Sequence, residues 1–237
     1  MSSRREQKEA LRRERERREA EAKAASQRKR LVGIAGAVAI GVAAIVIVLV
    51  ASGGGGGSDP KSAGNNFPDG GSLPKQKVFD LAQAAAAAGC ELKSNRATSR
   101  EHLEDPNQKV KYPQNPPTSG KHFAVPAEDG LYNGPPPLDT ALVHALEHGR
   151  VIVWAKPSLP VSARKQLRAL FEEDSYQMIF VRRPNMPYAV AATAWNHDPT
   201  PDGTGRLMGC PKWDEKVIDA LRAFRDEHRS NGPEDIP

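Results

Sequence analysis

The chain has 237 residues, 38% of them apolar and 27% charged, and a formal net charge of +5. That charge is concentrated in residues 1–30, where twelve Lys/Arg face six Glu; the remainder holds 22 basic and 23 acidic residues. A body without net positive charge has no field for neutralising phosphates, which excludes nucleic acid as a partner.

In chain order, residues 1–30 form a basic tail that mixes Glu and Arg at spacings suited to i,i+4 pairing. It lacks the apolar seam of a coiled coil and is expected as a solvated arm attracted to anionic lipids of the inner leaflet. Residues 31–51, LVGIAGAVAIGVAAIVIVLVA, carry no charge. As a helix they span about 31 Å, the thickness of a hydrocarbon core, so one transmembrane helix is expected. Arg28, Lys29 and Arg30 flank its start, and no base follows before Lys61. The positive-inside rule then leaves the tail in the cytoplasm and everything after the span outside the cell. A cleaved signal peptide is the rival reading, but its apolar core would be shorter.

Residues 52–73, rich in Gly, Ser, Asn and Asp, read as a flexible linker. Residues 74–237, about 165 after the tail, span and linker are set aside, suffice for one extracytoplasmic domain. Its fold class is expected as α+β, a small sheet flanked by helices. Residues 75–88 (KQKVFDLAQAAAAA) predict a helix that Gly89 stops. Residues 104–140 hold eight prolines, which exclude helix and central strand there. Residues 151–156, 177–183 and 188–195 predict strands by length and β-branched content. Residues 161–174 and 214–228 predict helices, the second with Val217, Ile218, Leu221 and Phe224 on one stripe and Gly232 as its stop.

The two cysteines, Cys90 and Cys210, both follow the span. An even count in an oxidising compartment suggests one bridge, and without C-x-x-C a redox role is disfavoured.

Of six histidines, His144 and His148 stand out. Asp139 as a cap and Gly149 as a stop would frame a helix on which the two rings lie one turn apart, about 5–6 Å between Cβ atoms. A hairpin turning at 147–150 is the other backbone reading. Paired imidazoles suit a transition ion such as zinc or copper, and His122 on the proline-rich segment is the candidate third ligand. Glu147 or His197 would complete or tune the set. The bland alternative has these histidines bonded to backbone carbonyls. His144-x-x-Glu147-His148 also matches a zinc-peptidase string in which Glu147 would act as catalytic base, but Gly149 ends the helix too soon. Ser162-x-x-Lys165 and Gly120-Lys121-His122 are incomplete as β-lactamase and phosphate-loop strings.

Pro-Pro-Thr-Ser-Gly-x-His (116–122), Val-His-x-Leu-Glu-His-Gly (143–149) and Ala-x-x-Ala-Trp (191–195) resemble the uncharacterised family called domain of unknown function 3105, common in actinobacterial membrane proteins. The resemblance covers approximately residues 74–234 and implies an envelope protein with an exported domain. It implies no activity. His122, His144, Glu147 and His148 fall within the matching motifs, and His197 lies just outside them. Three readings follow: a membrane-anchored domain binding a transition metal, a non-catalytic module touching an envelope protein or the cell wall, and a metal-dependent hydrolase.

Overall fold

Residues Val151–Ala155 are apolar at every position, and a strand buries both faces only at the centre of a sheet covered on both sides. That is where this segment lies. The computed structural model describes residues 66–234; the tail, the apolar segment 31–51 and most of the linker fall outside them. Among the described residues no helix is long and apolar enough to cross a membrane. The elements in order are α1 (Leu81–Ala87), β1 (Glu91–Arg96), β2 (His102–Leu103), β3 (His122–Phe123) and β4 (Gly130–Leu131). Then come α2 (Asp139–Glu147), β5 (Val151–Ala155), α3 (Val161–Glu173), β6 (Met178–Arg182), β7 (Val190–Asn196), β8 (Thr204–Cys210) and α4 (Val217–His228).

The domain is α+β, with a six-stranded sheet in the order β1-β8-β7-β5-β6-β4. β5, β6 and β4 run parallel to one another, whereas β7, β8 and β1 join antiparallel. Strand alternation sends Val151, Val153, Phe180, Ala192 and Met208 to one face, where α1, α3 and α4 cover them. Ile152, Trp154, Val181, Trp195 and Leu207 point to the other, beneath Leu142, Val143 and Leu146 of α2. Trp154 and Trp195 are core aromatics; the Trp154 Nε1–H donates to Thr193 Oγ1 at 2.8 Å, so its burial leaves no orphaned donor.

Several local expectations change. The helix expected over 75–88 begins only at Leu81, because Asp80 caps it by accepting from Gln83 N (2.9 Å) and the amides of Lys77 and Val78 donate to Asp219 of α4. A tertiary partner outbids helix propensity there. Within residues 66–73, expected as the end of a linker, Asn66 and Phe67 are buried, and the Phe67 carbonyl accepts from Arg168. β1 and β8 have no counterpart among the expected strands. β1 is polar and exposed, an edge held by its backbone ladder, and β8 contains Gly205 and Gly209, which depress strand propensity. Those glycines are required for packing: a Cβ at 209 would overlap the Tyr188 ring, and one at 205 would overlap Thr118. Gly205 thus lets the proline-rich segment press onto the sheet just ahead of His122. α4 ends at His228 without Gly232, whose missing side chain instead admits the backbone of Glu147 and Gly149.

Cys90 and Cys210 form a disulfide, S–S 2.05 Å. Glu91 pairs with Gly209 in the β1–β8 register, so Cys90 and Cys210 are the next cross-strand neighbours, 4.2 Å apart at Cα.

His228 is buried on α4, and this burial, with Arg206 adding to it, pushes its imidazole down to about 4. The unfolded chain, with an ordinary imidazole near 6.5, therefore takes up this proton first as pH falls. The associated stability is complete above about pH 6.5 and is lost on the way down to about pH 4. Replacing His228 by Gln should make the fall of the urea midpoint across that window shallower; a slope equal to wild type would contradict this.

Candidate metal centre

α2 is the element that organises the site. Its N-cap is Leu138, without a side-chain bond, so Asp139 is not the expected cap. Asp139 instead takes both nitrogens of the Arg183 fork, at 2.6 and 2.9 Å, and still places negative charge at the positive end of the helix. The helical reading of 139–147 holds over the hairpin: Glu147 is the last helical residue, His148 caps, and Gly149 turns the chain with φ +78°. A Cβ at 149 would also meet the backbone of residues 230–232 at 3.0–3.2 Å, a second reason for glycine.

Two short strands bring the remaining donors. β2 and β3 pair in parallel with His102 opposite His122, through His122 N–H to Glu101 O (3.1 Å) and Ala124 N–H to Leu103 O (3.2 Å). The rings of His102, His122 and His144 then stand 4.6–4.8 Å apart, centroid to centroid. Glu147, one helical step on from His144, adds its carboxylate, and the four donor atoms lie within 4.8 Å of one another. His122, His144 and Glu147 are buried; the His102 side chain is 42% exposed and opens the cluster to solvent.

Hydrogen bonds to the backbone fix which nitrogens face inward. His122 Nδ1 is 2.8 Å from Gly120 O and His144 Nδ1 is 2.7 Å from Phe123 O. A carbonyl only accepts, so each Nδ1 carries the hydrogen and, in a neutral ring, each Nε2 presents a lone pair. This is the outer-shell arrangement that orients metal-binding histidines. Burial, augmented by the neighbouring imidazoles and opposed by the Phe123 carbonyl, pushes His144 down to about 4, so its ring stays neutral well below pH 7.

His122 Nε2 and Glu147 Oε2 are 2.9 Å apart, within ion-pair distance, with no geometric hydrogen bond to either atom. Glu147 Oε1 accepts from Arg100 Nε at 2.5 Å. Burial raises the Glu147 carboxyl, but His122 and Arg100 outweigh it and hold the group below the ordinary carboxylate range. It is a buried anion with one oxygen tied to Arg100 and the other facing His122.

Of the residues expected from sequence, the structure thus joins His122, His144 and Glu147. His148 meets the His144 ring edge-on at 4.5 Å and directs its Nε2 toward Glu234 Oε2, 3.3 Å away, outside the four-donor set. Burial and Arg150 lower its pKa, against the pull of Glu234 and Glu147. His197 is not part of the cluster; it is half exposed, its Nε2 3.4 Å from Asp198. His102 and Arg100 carried no sequence signal, for they lie on a polar stretch whose pairing with β3 is set by tertiary structure. The one available hint was that four histidines remained once the 144/148 pair had been drawn.

No curated protein and no solved structure matches this chain. A family model does match, over residues 103–235, more than half of the sequence. The matched segment includes His122, α2 and Glu234 and begins one residue after His102, later than the resemblance over 74–234 implied. The chain therefore belongs to the family described as "Protein of unknown function (DUF3105)".

Proposed function

We propose that this domain is an extracytoplasmic metal-binding module, tethered to the cell membrane by residues 31–51, in which His102, His122, His144 and Glu147 hold one divalent transition ion. The observation that carries the reading is the 2.9 Å approach of His122 Nε2 to Glu147 Oε2 with no hydrogen bond between them. With Nδ1–H committed to Gly120, a His122 ring without a second proton turns a lone pair toward a buried carboxylate oxygen. Such a contact is repulsive unless a cation or proton sits between, and an ion reached by three imidazoles and a carboxylate relieves it for every donor at once. Three nitrogens and one oxygen suit zinc, and equally copper(II), nickel or iron(II).

The location rests on the disulfide and the sequence. A structural bridge persists in an oxidising compartment, which agrees with the side of the membrane that the charge flanks assign to this domain. The basic tail would lie against anionic inner-leaflet lipids. The peptidase-like string is less favoured, because Arg100 holds Glu147 Oε1 and the helix ends at Glu147, with Gly149 turning the chain where a peptidase helix would continue.

Elemental analysis of the full-length chain purified in detergent tests the reading. The expected result is about one transition ion per chain, lost in His144→Ala while the far-ultraviolet spectrum is retained. Wild-type protein that neither carries nor takes up such an ion would overturn it.

A further inference from the structure

Beside the four-donor set lies a second constellation. The His148 side chain is 10% exposed, and its Nε2 stands 3.3 Å from Glu234 Oε2 without a hydrogen bond. Glu234 is anchored there: its N–H donates to Glu147 O at 3.0 Å, and Ser230 N–H donates to Gly149 O at 2.9 Å. His144, His148 and Glu234 place their donor atoms within 4.8 Å of one another.

Arg100 joins the two constellations. Its Nε donates to Glu147 Oε1 at 2.5 Å and its Nη2 to Glu234 Oε1 at 3.1 Å. Each carboxylate therefore commits one oxygen to the same guanidinium and turns the other toward an imidazole, Glu147 to His122 and Glu234 to His148. His144 stands between the pairs. Its Nδ1–H is bonded to Phe123 O, so a single nitrogen remains, and one lone pair serves one ion at a time.

We infer that His144, His148 and Glu234 form a second station for the same ion, which moves between a four-donor and a three-donor set by pivoting on His144. The inference rests on the metal reading above and specifies it as metal hand-over rather than structural binding. Four protein donors close the sphere of a tetrahedral ion, whereas three leave a position that a donor from an accepting ligand can fill. Arg100 keeps both carboxylates in place and limits each to one ligating oxygen.

Cobalt(II) titration of the full-length chain, read by visible absorption, tests this. Wild type should bind one equivalent. His122→Ala should still bind one, about 10- to 100-fold more weakly and with an altered spectrum as the ion moves to the second station. Adding His148→Ala, or Glu234→Gln on the partly exposed residue, should abolish what remains. His148→Ala alone should weaken binding less than His122→Ala does and should slow transfer of the ion to a chelator. Residual binding in His122→Ala that ignores His148 and Glu234, no residual binding at all, or two equivalents held at once by wild type would overturn the second station. These outcomes leave wild-type binding intact, whereas failure of the metal reading itself shows as wild type that binds no cobalt.

Discussion

Glu147→Gln should lower affinity for the divalent ion by about 100-fold or more, following the roughly 3–5 kcal/mol lost when one partner of a buried charge pair is removed. The amide keeps the shape of the side chain but gives up its charge, and Arg100 then faces a neutral oxygen where it had an anion at 2.5 Å. The result also separates two chemistries. If Glu147 were a peptidase base beside a metal held by His144 and His148, the Gln variant would stay loaded and lose only turnover. As a ligand, its loss weakens binding and leaves the ion only the three donors of His144, His148 and Glu234. Competition with a chromophoric chelator measures the affinity, and a Gln variant with wild-type affinity would count against the donor assignment.

Removing the disulfide has the next largest effect. Cys90→Ser with Cys210→Ser should cost about 2–5 kcal/mol of unfolding free energy, since the bridge closes a loop spanning 120 positions. The loss falls on a particular element. β1 is exposed along nearly its whole length, with Leu92 44% exposed, so little apolar burial holds it to β8. Its amides should gain hydrogen exchange first, ahead of those in β5 and β7. Urea unfolding of oxidised wild type and the double variant reads the first effect, and exchange mass spectrometry the second. Equal stabilities would show that the bridge adds nothing to the β1–β8 pairing.

Parts of this architecture were legible because burial imposes a period. β5, β6 and β7 announce themselves by apolar runs, and α3 and α4 by their stripes; Leu167, Leu170, Leu221 and Phe224 are all buried as that pattern implies. β1 and β8 were not legible: one is nearly all polar, and the other owes its glycines to Tyr188 and Thr118, partners distant in sequence. The start of α1 misleads for a related reason, since Asp219 captures amides that propensity alone would place in a helix.

The site divides along the same line. His144 and Glu147 share a helix, so local spacing was enough to pair them, and the motif ending at residue 122 marked the third position. His148 was grouped with them by the same spacing, but its place at the end of α2 lets the ring turn to Glu234. His102 enters through a two-residue pairing with β3, and Arg100 through contacts with carboxylates 47 and 134 positions away. No periodicity encodes contacts of that kind. They follow from where Gly205 and Trp195 let the proline-rich segment lie: the first leaves room for Thr118, and the second meets the His122 ring edge-on at 5.8 Å.

X-ray absorption at the zinc edge, on full-length protein loaded with one equivalent, probes the donor set without a variant. Three imidazoles and one carboxylate oxygen should give a first shell at about 2.0–2.1 Å with the outer-shell scattering of imidazole rings. An oxygen-only shell lacking imidazole scattering would mean that the ion binds elsewhere and that the cluster around His144 is not a metal centre.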